Sequence, residues 1–252
     1  MTDPSGRALT PSQPLPVETA IELLSCGEMH VQGLIPWSSN YTFLVVITHA
    51  DRHTAAVYKP CRGEQPLWDF PTGTLANREV AAYLVSEALG WLLVPPTVLR
   101  DGPHGMGMAQ FYVDANPDEH YFTFGKRFPD QIKKIAAFDA LVNNADRKSG
   151  HCLRDANDHV WAIDHGICFH VEPKLRTVIW EFAGRPIPTP LLRDLAAFRE
   201  RLGARSDPVT RALNRLLARE EVAALRDRAD ELIAHARFPR PGAERHIPWP
   251  PV

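Results

Sequence analysis

The chain has 252 residues and 28.2 kDa, with 44% hydrophobic and 23% charged residues. That profile excludes a disordered chain, a coiled coil and a fibre, and it is long enough for a full core in one domain or two lobes. Lys and Arg number 28 against 30 Asp and Glu, a net charge of -2, so nothing in the overall charge selects nucleic acid or an anionic membrane as partner. Cys26, Cys61, Cys152 and Cys168 form no CxxC pair and no disulfide framework. The first residues carry no apolar signal core, and the longest apolar run, Phe43 to Ile47, is far shorter than the roughly 18 residues of a membrane span. A cytoplasmic protein without a membrane span is expected.

Residues 1–17, rich in Pro, Ser and Thr, read as a mobile tail. TFLVVITH (42–49) and TAAVYKP (54–60) are apolar and β-branched, and the polar turn between them predicts a hairpin. Asn77 is placed to cap a helix running to about Trp91, with Val80, Ala81, Leu84, Val85, Ala88 and Leu89 on its buried stripe and Pro95-Pro96 as its stop. Extended pieces follow around Thr97–Leu99 and Met106–Tyr112. A helix from Gln131 to about Asn143 precedes a second hairpin, HCLRD paired with HVWAID. After a Pro-broken stretch, helices are predicted near Leu191–Leu202 and over Pro208–Ala236. The Pro-rich end from Phe238 either drapes over the body, anchored by Trp249, or is loose.

A β-rich first half and an α-rich second half predict an α+β fold of two lobes. The expected division is a tail at 1–17, a small β-rich lobe at 18–111, a helical lobe at 112–238 and a Pro-rich tail at 239–252. Their junction near Phe111–Asp114 is the expected cleft.

Five polar features follow one another along the chain. The loop from Gly33 to Asn40 carries Ser38, Ser39 and Asn40 just before a strand. Lys59 ends the second strand of the hairpin, and Glu79 stands 20 residues later on the helix. Asp146 lies in NNADRKSGH after a helix, and Asp164 closes HVWAID before His165-Gly166. Phosphoryl transfer needs positioning and charge neutralisation above all. A loop of N–H and hydroxyl groups covers the phosphates, and a strand Lys held by a helix carboxylate neutralises them. One Asp then orients or deprotonates the acceptor hydroxyl while a second holds the metal. Each residue alone has a plainer reading: Lys59 as a surface lysine, Glu79 as a first-turn carboxylate, Asp146 and Asp164 as turn formers. The order of the set is the signal.

The set resembles the atypical kinase-like superfamily of phosphatidylinositol 3/4-kinases, HipA-type kinases and secretory-pathway kinases, and above all a bacterial phosphatidylinositol-kinase-like group. The resemblance covers about Leu24 to Phe182, and NNADRKSGHCL…WAIDHG is its most specific part. It implies a bilobal protein-kinase-like fold that binds ATP between its lobes with Mg²⁺, or Mn²⁺. Asp146 would be the catalytic base, Asp164 the metal ligand, Lys59 the phosphate-binding Lys and Glu79 its partner; Asn144 would help position the loop. Ser38, Ser39 and Asn40 would cover the phosphates, and Gln110 and Tyr112 would border the adenine pocket. Three positions depart from the family pattern: His151 replaces the usual Asn as second metal ligand, His165 replaces the Phe of Asp-Phe-Gly, and the covering loop is not Gly-rich. An imidazole in the metal site favours Mn²⁺ over Mg²⁺.

The implied activity is transfer of the γ-phosphate of ATP to a hydroxyl of a protein or small molecule, with a lipid acceptor ranked lower for want of a headgroup surface. The alternatives are a nucleotide-binding pseudokinase acting as a regulatory module, and AMP transfer in the same cleft. Arg78, Lys126 and Arg127 are candidates for substrate or phosphate contact, or plain solvated charges. His151, Cys152, His165, Cys168 and His170 could be read as a zinc site, although no paired metal-ligand spacing is present. A serine hydrolase is disfavoured because no G-x-S-x-G occurs.

Overall fold

The computed structural model describes residues 15–35, 40–124 and 126–252. The chain divides into two compact units, one of residues 1–80 and 95–114, the other of 81–94 and 115–252.

The first unit begins with a helix absent from the sequence reading, α1 (Val17–Cys26). Its Ala20, Leu23 and Leu24 are buried at i, i+3 and i+4, so the apolar spacing of an amphipathic helix was present next to the Pro-rich stretch. Strands β1 (Glu28–Leu34), β2 (Phe43–His49) and β3 (Arg52–Pro60) follow as an antiparallel meander. The β2–β3 hairpin matches the expectation. The extra strand β1, with Glu, His and Gln, is mostly exposed and pairs only along β2. β1 and β2 pair antiparallel, and the candidates Ser38 and Ser39 between them lie outside the described residues.

Helix α2 (Leu75–Ala88) starts two residues before Asn77. Its N-terminus is capped from a distance, by Glu64 Oε1 accepting the Ala76 N–H at 3.0 Å. It stops before the prolines. Gly90 takes φ +67°, and Ser86 Oγ receives the N–H groups of Leu93 and Val94. β4 (Thr97–Gly102) and β5 (Gly105–Phe111) complete a five-stranded sheet ordered β1-β2-β3-β5-β4.

Leu24, Met29, Val45, Ile47, Ala56, Tyr58 and Ala109 form the core where α1 meets the sheet. Period-two alternation along β3 sends Ala56 and Tyr58 to that side and Lys59 to the other. Gly107 pairs with Pro60 at this point, and a Cβ on it would lie 2.4 Å from the Lys59 carbonyl oxygen and 2.6 Å from Pro60 Cα. Backbone cannot give way as a side chain can. Gly107→Ala is therefore expected to destabilise the protein by about 1–3 kcal/mol, read as a lower urea midpoint.

In the second unit a single turn, α3 (Tyr121–Phe124), precedes α4 (Pro129–Val142), which Asn143 closes in the left-handed conformation at φ 54°. β6 (Cys152–Arg154) and β7 (Val160–Ala162) form the expected second hairpin, tightened by Asp155 Oδ1 accepting from Asn157 N and His159 N. Helices α5 (Thr189–Gly203), α6 (Pro208–Leu216) and α7 (Arg219–His235) follow. The single long helix expected over 208–236 is in fact two. Leu217 is extended, and Glu221 Oε2 accepts the Ala218 N–H to start α7. The bend lets Leu213 of α6 and Val222, Leu225 and Leu232 of α7 all be buried.

The end of the chain is held by its main chain. His246 O accepts from Thr177 N and Trp180 Nε1, and Pro251 O accepts from Ser149 N. Trp249 is 77% exposed and anchors nothing. No helix of the described residues is long and apolar enough to cross a membrane.

Candidate active site

In the sheet unit, Lys59 Nζ donates to Glu79 Oε1 at 2.7 Å. The Lys59 side chain is 20% exposed and Glu79 2%. A carboxylate so deeply buried needs its cation, so β3 and α2 are tied at this point and the ammonium is fixed while one side remains accessible. Asn40 Oδ1 accepts the Gln65 N–H at 2.8 Å, which pins the return of the β1–β2 turn. Gln110 is buried and donates to Thr97 Oγ1 at 2.9 Å, so its amide is engaged inside the sheet. Tyr112 donates its N–H to Ala55 O just past the end of β5.

In the helical unit, the NNADRKSGH loop is fixed from several directions. Asn143 Nδ2 donates to the carbonyls of His170 and Glu172, and its Oδ1 accepts from Lys174 N. Asn144 donates to Asp139 Oδ1 at 2.9 Å and accepts the Asp146 N–H at 2.9 Å, so it sets the backbone of Asp146. Ala145 N donates to Ile167 O, which ties this loop to the one that follows Asp164.

The centre of the arrangement is a pair that the sequence reading left without a role. Arg147 and Asp139 are both fully buried and meet in a fork, Nε to Oδ2 at 2.9 Å and Nη2 to Oδ1 at 3.0 Å. Arg147 Nη1 also donates to the carbonyls of His151 and Ile163, and Nη2 lies 2.6 Å from His165 Nε2. Burial works against the Arg147 charge, but the Asp139 carboxylate more than offsets it, and the guanidinium stays protonated. One side chain thereby joins α4, the Asp146 loop and the strand end that carries Asp164. An acid inside the apolar run AAFDALV was the available signal.

Asp146 is partly buried, with the Lys148 ammonium 3.6 Å away. Burial pushes its carboxyl up to about 6; the Asp164 charge adds to the rise, while Lys148 and Arg147 pull it back. Asp164 takes φ +63°, and its carboxylate is 45% exposed with Oδ2 at 3.3 Å from His151 Nε2. The other ring nitrogen, Nδ1, accepts the Lys148 N–H at 3.4 Å. Asp146, Asp164 and His151 are thus brought together, as Lys59 and Glu79 are in the other unit.

The remaining candidates fall elsewhere. Arg78 is buried, its Nε donates to Thr74 Oγ1 at 3.4 Å and its guanidinium lies 4.8 Å from the Phe70 ring centre, and Arg127 pairs with Glu119 at 2.9 Å. No group of three or more metal-binding side chains occurs among the described residues. Cys152 and Cys168 are fully buried, and burial pushes the Cys152 thiol up to about 12. His170 Nδ1 accepts the Glu172 N–H. The zinc reading has no geometry behind it.

The protein Rv2133c of Mycobacterium tuberculosis is 42% identical over 263 residues, covering 90% of this chain and 94% of that protein. A phosphatidylinositol 4-kinase gamma 4 of Oryza sativa subsp. japonica is 36% identical over 117 residues, covering 38% of this chain and 20% of that one. The Golgi casein kinase, in a crystal structure with Mn and ADP bound, superposes with a TM-score of 0.54 at 14% identity, over 87% of this chain and 75% of that one, a likeness of fold. The sequence profile of the phosphatidylinositol 3- and 4-kinases matches residues 72–208, over half the chain, from the start of α2 through both Asp loops. With a kinase-like fold and that match, the chain belongs to the phosphatidylinositol 3- and 4-kinase family.

Proposed function

We propose that the protein is an ATP-dependent phosphotransferase that passes the γ-phosphate to a hydroxyl of a protein or small molecule. The observation that carries this reading is the state of Asp146: a carboxylate in a loop fixed by Asn144 and Arg147, with its pKa lifted to about 6. A base poised near neutrality accepts a proton from an approaching hydroxyl far better than an ordinary carboxylate does. Lys59, held by Glu79, neutralises phosphate charge, and Asn40, Ser38 and Ser39 are the residues assigned to cover it. Tyr112 and the main chain around Gln110 border the base.

The donor set suits a divalent cation. Asp164 Oδ2 and His151 Nε2 are 3.3 Å apart, close to the roughly 3 Å between neighbouring ligands of an octahedral ion with bonds near 2.1 Å. Mg²⁺ is commonly held by one or two carboxylates with phosphate oxygens and water completing the shell, so a two-residue set is sufficient. When bound, the cation neutralises charge on the phosphates. For His151 Nε2 to serve as a ligand, the ring proton would move to Nδ1, giving up both the contact to Asp164 Oδ2 and the long contact from Lys148 N.

Lys59→Ala is expected to weaken ATP binding about tenfold or more, seen as a smaller nucleotide-dependent thermal shift. His151→Asn, which restores an oxygen donor, is expected to move the preference from Mn²⁺ toward Mg²⁺ when the same shift is titrated with each ion.

His151 also supports a second reading, a nucleotide-binding regulatory module without transfer, because its Nε2 faces the carboxylate the metal needs. The deciding experiment supplies ATP labelled at the γ or the α position, with Mg²⁺ or Mn²⁺, and protein, small-molecule and phosphoinositide-vesicle acceptors in separate arms. Transfer of the γ label that requires Asp146 supports the phosphotransferase. Transfer of the α label identifies AMP transfer, and metal-dependent ATP binding with neither identifies the module.

A further inference from the structure

Beyond α7 the chain returns to the loop that carries Asp146, a contact the chemistry above does not use. After Phe238 it runs exposed from Arg240 to Arg245 and then docks again. His246 O accepts from Thr177 N and from Trp180 Nε1, both at 3.0 Å, and the His246 ring meets Trp180 edge to face with centres 5.9 Å apart. Pro248 is buried, and Pro251 O accepts the Ser149 N–H at 2.9 Å. With Pro at 248, 250 and 251, the segment has little backbone freedom to lose on docking.

Both docking points bear on the Asp146 loop. Arg147 N donates to Arg176 O at 2.9 Å and Arg147 O accepts from Val178 N at 3.1 Å, so the bond from Thr177 to His246 holds the segment that clamps Arg147. Ser149 begins the single turn Ser149–His151. The first N–H groups of a helical turn find no partner within it, and Ser149 is fully buried, so its acceptor must come from elsewhere in the chain. Pro251 O is that acceptor. Gly150 has open space where a Cβ would stand and brings no side chain to fix the turn. At the far end, His151 O accepts from Arg147 Nη1 at 3.1 Å and from Ile163 N at 3.0 Å, and its ring Nε2 lies 3.3 Å from Asp164 Oδ2. The turn is thus held at one end by the body and at the other by the returning segment.

We propose that residues 246–251 are a positioning strap for the metal site: docked, they fix the turn that presents His151 beside Asp164, and so raise the affinity for the divalent cation. This rests on the reading of His151 and Asp164 as the metal-holding pair. The strap takes no part in phosphate transfer itself. Coupling of this kind is reciprocal, so a cation that prefers the ordered turn also tightens the strap.

The test uses the full chain. Pro248→Asp places a charge at a buried position of the strap, where only undocking returns it to water. Pro251→Gly keeps the carbonyl but loosens the chain that carries it, and is the milder variant. Mn²⁺ is titrated at saturating ADP and followed by thermal shift, and hydrogen exchange is read at the Ser149 amide. In wild type, Mn²⁺ with ADP is expected to slow that exchange. Before metal is added, exchange is expected to be faster in both variants. Pro248→Asp should weaken Mn²⁺ binding about tenfold and Pro251→Gly about threefold. In the γ-label assay, the Mn²⁺ needed for half-maximal transfer should rise by the same factors, and saturating Mn²⁺ should restore the wild-type rate. A general loss of structure would not be restored in this way. Unchanged Mn²⁺ affinity in a variant whose Ser149 amide exchanges faster would overturn the strap and leave the phosphotransferase reading standing. Ser149 exchange unchanged in both variants would also overturn it, since the Pro251 contact would then not hold the turn. No response of the wild type to Mn²⁺ would remove the His151–Asp164 pair as metal holder, and the strap's role with it.

Discussion

Asp146→Asn is expected to slow γ-phosphate transfer by about 10²- to 10⁴-fold while leaving ATP affinity within a few-fold of wild type. The substitution preserves shape and the main-chain bond from Asp146 N to Asn144 Oδ1, so the loop is retained and only proton acceptance is lost. In the wild type, the rate should rise with pH through the Asp146 pKa of about 6, because the ionised form is the active base. Its stability effect has the opposite sign. The carboxyl pKa rises from 3.8 unfolded to about 6 folded, so the folded state holds a proton that the unfolded state releases between those values, and stability falls as pH rises through that window. Asn carries no such penalty. Asp146→Asn should therefore melt higher than wild type at pH 7.5 and converge with it below pH 4. A variant that keeps most of its transfer rate, or that loses its ATP-dependent thermal shift, would remove Asp146 from the role of base.

Arg147→Met is expected to destabilise the protein by about 3–5 kcal/mol, because it leaves Asp139 charged and unpaired in the core of the helical unit. Urea unfolding reads this as a lower midpoint at unchanged slope. Pairing it with Asp139→Asn should recover a good part of the loss, since no charge is then stranded and Asn can still accept from Asn144. Recovered stability need not bring recovered activity. Arg147 also holds the carbonyls of His151 and Ile163, which set the two residues offered to the metal. A loss below about 1 kcal/mol in the single variant would show that this pair does not organise the loops.

Several elements were legible because they announce themselves locally. The β2–β3 hairpin has β-branched runs around a polar turn, and the β6–β7 hairpin has Asp155 and Asn157 at its tip. The helix α4 ends at an Asn that tolerates the left-handed conformation. What was not legible depended on partners distant in sequence. Glu64 starts α2 from eleven residues before the helix's first residue, a cap that no local motif encodes. The bend at Leu217 interrupts a continuous apolar stripe, and it exists because α6 and α7 both bury their apolar faces. Trp249 was a natural anchor by composition, yet the carbonyls of His246 and Pro251 hold the tail.

The candidate site divides along the same line. Residue types and order by themselves determined the ingredients: a strand-end Lys, a helix Glu 20 residues on, and two Asp residues in turns after a helix and a strand. Spacing along a chain carries that much, because strand alternation and helix geometry fix which side chains are presented. Only the tertiary structure decided which of them ionise near neutrality and what holds them. Burial and the Asp164 charge lift Asp146, and a buried Asp139–Arg147 pair, silent in the sequence reading, joins its loop to the turn of Asp164. Both effects depend on low-dielectric surroundings that residues from α4, the loops and β7 create together, and no single segment of sequence contains them.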